Sequence, residues 1–484
     1  MSAIQHLPNE LLEQILIQAD VETITKCRQA SSLFDEVIAG SMTIQYKIEL
    51  YTERLKDGKD CPNGWSIGER LEALRSRRAA LHAMLPKSKL AILDMEPETE
   101  YLVTRGHFAW VEEGEVQEDD CLRVFQIQSV SRGIPLKEWK IPLPASLLAE
   151  ERYFAMFPDE DLLVATVCSS TDTLDRWTIK LLSLTTGRNH PDAMRPDLLV
   201  TKDLDTTKEF SVCRNYLALS ISEFGQHFDF QLHLYNWKTG DLLLRLDSNQ
   251  FFCLGVAFAS DQHLLVATSG NGLGASITIL DIASLPPFTA DDVPIFVGDH
   301  SDLIPLALVQ LQLPADCASS EFVLRTSVKR PPPQSLHPTL AQPAFFPDPD
   351  RHDEHAIVIF QEIDYENDDG GNAQKTVIIP WLSFLSGMKT ARDTGRKALE
   401  WEDWGPQEAL HQSEKLCHSW ALVKGAAEFL QREASQDLDV LDSFLRRIDA
   451  WLSVTRGKGK GKYDVIAVCD DGAILAQAVR FLSS

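Results

Sequence analysis

Long apolar runs are missing from this sequence of 484 residues. No window approaches the roughly 18 uncharged apolar residues that a membrane-spanning helix needs, so we expect no transmembrane helix and no membrane partner. The first ten residues, MSAIQHLPNE, contain neither a basic stretch nor an apolar stretch. We therefore expect no secretory signal.

Paired cysteines and basic clusters are also scarce. The nine cysteines are dispersed and none forms a C-x-x-C pair, which predicts free thiols in the cytoplasm, the nucleus or both. Lys and Arg number 46 against 71 Asp and Glu, so the net charge is −25. Because phosphate contacts need clustered basic side chains, we expect no nucleic-acid partner. The acidic runs at 112–120 and 362–369 are interpreted first as solubilising loops.

Motifs of catalysis are either absent or misplaced. No H-E-x-x-H occurs, and the GKGKGK run lacks the spacing of a phosphate-binding loop. Residues 64–68 match G-x-S-x-G, but a nucleophilic serine of that type follows a buried strand, and KDGKDCPN cannot form one. Ser66 suits a helix cap better. We therefore expect no catalytic residue, no metal site and no cofactor, and a hydrolase that uses Ser66 is the least favoured hypothesis.

The N-terminal segment has the spacing of an amphipathic helix. Residues 7–17 read LPNELLEQILI, with Pro8 suited to a first turn and Glu10 placed where the helix dipole favours an acid. The apolar residues recur at i, i+4 spacing and predict a single apolar stripe, formed by Leu11, Leu12, Ile15 and Leu16.

Two further short helices are predicted after the first. Asp20 can cap the second helix, which turns Val21 and Ile24 inward. The third helical stretch covers residues 26–38 and carries one apolar side, formed by Cys27, Ala30, Phe34, Val37 and Ile38. Three helices of this size are marginal alone, so we expect them to pack on the helices after them or to share an apolar face with a partner.

The segment LPNELLEQILIQADVETITKCRQASSLFDEVI resembles an F-box. Ala19 and Ala30 depart from that family, which usually has Leu and Val at these places. The resemblance implies that residues 1–45 bind a Skp-family adaptor, which in turn binds a cullin. The residues that it implicates are Leu7, Pro8, Glu10, Leu11, Ile15, Leu16, Ile24 and Phe34. Some of them would instead hold the three helices together, and the sequence does not separate the two roles.

Residues 46–90 are predicted to be a helical spacer. A helix is expected over 41–56, with Ile44, Ile48 and Tyr51 along one face. Ser66 and Glu69 fit a capping box for the next helix, in which each residue bonds the backbone N–H of the other. Two such helices after the box also resemble fungal F-box proteins.

Residues 91–484 change to short β-branched and aromatic runs separated by turns. Runs at 162–166, 216–221 and 264–269 are each followed by a second run, at 179–184, 231–236 and 277–282. Runs at 107–111 and 121–127 resemble an earlier copy, and later hairpins are predicted at 355–380 and 463–479. The segments LTTG and NWKTG recur after the second run.

A period of roughly 40–50 residues with several strands in each repeat is typical of a propeller blade. We predict a multidomain α + all-β chain whose body is a WD-repeat-like β-propeller of about seven blades, with a helical insertion near 425–452. A β-sandwich and an open repeat array are the alternatives. The WEDWGP segment at 401–406 is interpreted as a packing corner.

The resulting hypothesis is a substrate-recognition subunit of a Skp–cullin–F-box ubiquitin ligase. Its partners would be the Skp-family adaptor, the cullin and an unknown target protein. The alternative is a propeller scaffold for protein–protein interaction outside any ligase.

Overall fold

The structure is a computed structural model. It describes residues 7–53, 55–58, 64–83, 101–104, 106–112, 120–129, 133–143, 153–169, 176–200, 207–223, 229–248, 251–270, 274–285, 295–297, 300–313, 321–322, 325–326, 344–347, 357–363, 374–405, 410–412, 462–469 and 472–478. The insertion predicted at 425–452 lies outside these residues.

Helices form the first part of the chain, which we call the helical module. They are α1 (Asn9–Gln18), α2 (Val21–Ala30), α3 (Ser32–Gly40), α4 (Met42–Thr52) and α5 (Ile67–Ala83). As predicted, Asp20 caps α2 by accepting a hydrogen bond of 2.7 Å from the Thr23 backbone N–H, and this bond lowers the pKa of its carboxyl. The third predicted stretch is corrected, because it spans two helices that are separated at Ser31, whose extended backbone begins α3.

The predicted helix over 41–56 ends earlier, at Thr52. Leu55–Asp57 instead form a strand, β1, which pairs antiparallel with β21 (Phe345–Pro347). The capping box predicted for α5 is confirmed. The Ser66 backbone N–H donates to Glu69 at 2.7 Å, and the Glu69 N–H donates to the Ser66 hydroxyl at 3.3 Å.

From residue 101 onward the chain forms mainly antiparallel sheets, which we number in chain order. Sheet 1 contains β2 (Tyr101–Thr104), β3 (His107–Glu112), β4 (Cys121–Gln126) and β5 (Lys137–Pro142). Sheet 2 contains β6 (Tyr153–Phe157), β7 (Leu162–Ser169), β8 (Arg176–Ser183) and β9 (Asp197–Val200). Sheet 3 contains β10 (Thr207–Cys213), β11 (Tyr216–Glu223), β12 (Asp229–Asn236), β13 (Asp241–Ser248) and β17 (Ile295–Phe296).

The later sheets are also built mainly from strands that follow one another along the chain. Sheet 4 contains β14 (Phe251–Phe258), β15 (His263–Gly270), β16 (Gly274–Asp281), β18 (Ala307–Gln312) and β24 (Ala398–Leu399). Sheet 5 contains β19 (Glu321–Phe322), β20 (Arg325–Thr326), β22 (Ile357–Ile363), β23 (Gln374–Pro380) and β25 (Leu410–Gln412). Sheet 6 is the hairpin of β26 (Lys462–Cys469) and β27 (Gly472–Ala478). The repeated strands predicted from the sequence coincide with these strands to within a few residues.

Sheets 1 to 4 each contain an equivalent backbone hydrogen bond. In each sheet, the residue after the third strand donates its N–H to the carbonyl of the residue just before the second strand. The pairs are Ile127 to Gly106 at 2.7 Å, Leu184 to Asp161 at 2.7 Å, Trp237 to Asn215 at 2.9 Å and Ile282 to Gln262 at 2.8 Å. The repeat in the sequence is therefore a repeat in backbone geometry.

Sheets 1 to 4 pack face to face in succession through shared apolar cores. In β7, Leu163 and Ala165 lie in a core shared with sheet 1, whereas Leu162 and Val164 lie in a core shared with sheet 3. This alternation follows from the period of two along a strand. A strand that is apolar on both faces is therefore buried between two sheets.

The first strands of successive sheets lie side by side. Contacts join β2 to β6, β6 to β10, β10 to β14, and β14 to both β19 and β20. The strand β26 of sheet 6 also lies against β2. The face of sheet 1 turned away from sheet 2 carries three buried aromatic residues, Phe108, Trp110 and Phe125.

The glycine in each of the recurring T-G segments is required by the backbone conformation and by a close neighbour. Gly187 and Gly240 both have positive φ, at 70° and 79°. A Cβ on Gly240 would lie 2.6 Å from the Arg195 Cβ, and a Cβ on Gly187 would collide with Ile141. Ile141 lies on β5 of sheet 1, and Arg195 lies in the loop between β8 and β9 of sheet 2, so each glycine meets the sheet that precedes its own. The recurrent glycine therefore allows neighbouring sheets to approach closely at this turn.

Residues 401–405 of the WEDWGP segment lie at a packing corner, as predicted, and Pro406 lies outside the described residues. Trp401–Trp404 form α7, which follows a helix that was not predicted, α6 (Trp381–Thr394). Trp404 is buried against Phe384 and the apolar core of sheet 4. Its indole N–H donates to the Gln312 carbonyl at 3.0 Å.

Candidate functional site

The apolar residues of α1 form two rows, and this corrects the single stripe predicted from the sequence. Leu12 and Leu16 are 1% and 3% exposed and pack inward on the other helices. Leu11 and Ile15 are 45% and 57% exposed. Neighbouring residues of an α-helix point about 100° apart, so two adjacent i, i+4 rows can face different surroundings. One row builds the core of the helical module, and the other faces solvent.

The solvent-facing row lines an open groove of about 770 Å³. We call it the α1 groove. Its lining residues are Leu7, Leu11, Gln14, Ile15, Ile17 and Gln18. Gln14, Ile17 and Gln18 were not among the site residues predicted from the sequence. Gln14 and Gln18 lie three residues after Leu11 and Ile15, so helical spacing could have indicated them.

The other residues of the F-box resemblance also divide into buried and exposed ones. Ile24 is fully buried in the core of the helical module, and Phe34 is half-buried against that core. Leu7 lines the groove and also packs on the core. Pro8 and Glu10 are exposed at the start of α1. The Pro8 carbonyl accepts hydrogen bonds from the Leu11 and Leu12 backbone N–H groups at 3.0 and 3.1 Å.

The two alanines that depart from the F-box pattern lie in different surroundings. Ala19 is half-buried against the core, whereas Ala30 is exposed at the end of α2. An exposed position contributes little buried area whichever side chain it has. Having alanine instead of valine at position 30 therefore reduces the buried apolar area of the helical module very little.

Polar contacts fix α1 on its neighbours. The Lys47 ammonium of α4 donates to the Ile17 and Ala19 carbonyls at 2.7 and 2.6 Å. A cation at this end of a helix satisfies unpaired carbonyls and opposes the negative end of the dipole. The Ser41 hydroxyl donates to the Glu13 carboxylate at 2.5 Å. These bonds hold both the middle and the end of α1, so the groove is preformed.

A buried polar row lies on β12, between sheets 2 and 3. His233 is buried, with Nδ1 3.1 Å from the Tyr235 hydroxyl and Nε2 3.3 Å from the Gln231 Oε1. Burial, together with the smaller effect of the Arg245 charge, lowers the pKa of His233 to about 3. Burial raises the pKa of Tyr235. The imidazole is therefore neutral, and both of its nitrogens are engaged within the row.

Neither a metal cluster nor a membrane-spanning helix occurs in the described part of the chain. Among the described residues, no three His, Cys, Asp or Glu side chains come together as a metal site. Across the same residues, no helix combines the length and the apolar character needed to cross a bilayer.

Comparisons with known proteins give distant likenesses. No protein-family model matches the sequence, and no curated protein is significantly similar to it. An uncharacterised protein from Listeria monocytogenes EGD-e matches with a TM-score of 0.32 and 9% identity, over 60% of this chain and 66% of that one. The WD40 domain of Toxoplasma gondii coronin matches with a TM-score of 0.28 and 11% identity, over 68% of this chain and 62% of that one. This chain therefore spans a little under two-thirds of each, and scores this low carry neither fold nor function across.

Proposed function

We propose that this chain is the substrate-recognition subunit of a Skp–cullin–F-box ubiquitin ligase. The α1 groove would bind the Skp-family adaptor, which carries the cullin, and the sheets would bind a target protein. The observation that carries the proposal is the solvent-facing row of Leu11 and Ile15 beside a fully buried row. A helix that exposes large apolar residues on a preformed surface suits a protein partner.

The residues support the adaptor as the partner. Leu7, Leu11 and Ile15 belong to the F-box pattern of the sequence, and all three line the same groove. The three other lining residues are the apolar Ile17 and the polar but uncharged Gln14 and Gln18. An apolar centre with a polar rim is the usual anatomy of a protein interface.

We also propose that the sheets form a β-propeller of WD-repeat type. Three observations support it. Sheets 1 to 4 each contain the equivalent backbone hydrogen bond, and neighbouring sheets among them pack face to face. The first strands of successive sheets also lie side by side. The contact of β26 with β2 is what a ring of sheets requires of its first and last members. The described sheets would supply six blades, and the number of about seven stays a prediction from chain length.

The mechanism would be proximity. One part of the chain holds the ligase core and another holds a target. Linking them raises the effective concentration of target lysines near the ubiquitin donor. In this proposal the chain supplies no catalytic group and acts as a substrate receptor in ubiquitin-dependent protein degradation.

The test is capture of a purified Skp-family adaptor by the full-length chain. The double variant Leu11→Ala/Ile15→Ala should lose capture, because it removes the exposed row while the buried row stays. The pair Leu7→Ala/Pro8→Ala should also lose it. The matched control is Met194→Ala, since Met194 is 80% exposed on the sheets.

Two outcomes would count against the proposal. Capture that survives both double variants would remove the α1 groove from the interface. No capture by the unaltered chain would favour the scaffold hypothesis, in which the groove binds another partner or a second copy of the chain.

A further inference from the structure

A short strand from the β-rich part of the chain is inserted into the helical module. It is β21, Phe345–Pro347, which lies in sequence between two strands of sheet 5, β20 and β22. Its antiparallel partner is β1, near the start of the chain. The Gly58 backbone N–H extends the pairing by donating to the Ala344 carbonyl at 2.8 Å.

Phe345 is the anchor of this insertion. Its side chain is 0% exposed and lies in one apolar cluster with residues of α4, β1 and α5. Ala344 is buried in the same cluster. The residues that the helical module contributes to the cluster are Tyr46, Leu50, Leu55, Leu71 and Leu74. An aromatic side chain buried to this extent contributes far more than a surface contact.

The receiving edge is held in place by the module itself. The Asp57 carboxylate of β1 accepts a hydrogen bond from the Tyr46 hydroxyl of α4 at 2.8 Å. It also accepts one from the Arg70 guanidinium of α5 at 2.8 Å. The strand β1 is therefore fixed between α4 and α5, and residues 344–347 dock on a preformed edge.

The lengths of two connecting segments set how far the helical module can move from the sheets. Residues 84–100 are 17 residues that join α5 to β2, and their extended span is at most about 60 Å. Docking adds a second connection through residues 348–356, nine residues that join β21 to β22, with a maximum span of about 35 Å. The shorter connection sets the limit.

We propose that residues 344–347 are a clasp that limits how far the helical module moves from the sheets. Their docking closes a second, shorter connection, so the α1 groove stays within a narrow range of distances from the β-rich part of the chain. The consequence for a ligase, a restricted range of target positions, rests on the proposed function. The clasp itself does not.

The experiment measures distances in the full-length chain by single-molecule energy transfer. Dyes are placed through unnatural amino acids at two exposed positions, Gln29 on α2 and Arg188 beside sheet 2. The perturbing variant is Phe345→Ser, and Phe345→Leu retains apolar volume. The matched control is Phe296→Ser, because Phe296 is an exposed phenylalanine on β17.

The unaltered chain, Phe345→Leu and Phe296→Ser should give one narrow distance distribution. Phe345→Ser should at least double its width, while amide exchange shows α1 still protected. A second variant inserts twelve Gly and Ser residues after residue 352 and keeps the Phe345 side chain. It should broaden the distribution through tether length alone.

An unchanged distribution in both Phe345→Ser and the insertion variant would overturn the clasp. The measurement contains no adaptor, so its result is independent of the proposed function. Failure of adaptor capture would remove the ligase role and leave the clasp standing.

Discussion

Leu11 and Leu12 are neighbours in sequence, but substituting Leu12 should mainly lower the stability of the helical module, and substituting Leu11 should mainly lower the affinity for the adaptor. Leu12 is almost fully buried in the core of the helical module, whereas Leu11 lines the α1 groove. Truncating a buried leucine to alanine costs about 2–5 kcal/mol, through lost transfer free energy and the cavity that remains. For Leu12→Ala we expect about 3 kcal/mol, and for Leu11→Ala about 1 kcal/mol, because half of that side chain is already in water.

Amide hydrogen exchange of α2 and α3 in the full-length chain measures these costs locally. A loss of about 3 kcal/mol should accelerate exchange on the order of a hundredfold, and about 1 kcal/mol about fivefold. Adaptor affinity should fall steeply for Leu11→Ala. Equal acceleration by the two variants would refute the division of α1 into a buried row and an exposed row.

Three further predictions concern stability. The pKa of His233 is about 3 in the fold and about 6.5 in an unfolded chain, so the neutral ring stabilises the fold above pH 6.5 and this contribution is lost as pH falls. Urea unfolding at pH 7 and pH 5 should show about 2 kcal/mol more loss for the unaltered chain than for His233→Gln. Gly240→Ala should lower the melting temperature more than Gly106→Ala. Both glycines have positive φ, but a Cβ on Gly106 would meet open space. Glu53→Ala should accelerate amide exchange of α5, because it removes the carboxylate that forms a 3.5 Å ion pair with the buried Arg77 guanidinium, and Glu53→Leu/Arg77→Leu should recover part of that loss.

The sequence predicted local features well where the signal was local. The capping box of Ser66 and Glu69 and the cap at Asp20 depend on residues three apart, and both form as predicted. The repeated strands carry their own alternation of apolar residues, so most of them coincide with strands of sheets 1 to 6. The division of α1 was not predictable, because all four apolar residues are equally suited to burial and the neighbouring helices decide which row is covered.

Long-range pairing was also beyond prediction. The tripeptide Leu55–Asp57 has no strand signal of its own, and it becomes a strand because Phe345–Pro347 pairs with it from a distant part of the chain. The two-residue strands β17 and β24 extend sheets 3 and 4 in parallel for the same kind of reason. Each of these short strands forms only where a later segment of the chain comes back beside the edge strand of an earlier sheet.

The affinity of a purified Skp-family adaptor for the full-length chain is the decisive measurement for the proposed ligase role. We expect tight binding by the unaltered chain and by Met194→Ala. For Leu11→Ala/Ile15→Ala we expect a loss on the order of a hundredfold, which corresponds to about 3 kcal/mol of apolar burial. Equal affinity of the double variant and the unaltered chain, or no measurable affinity of the unaltered chain, would contradict that role.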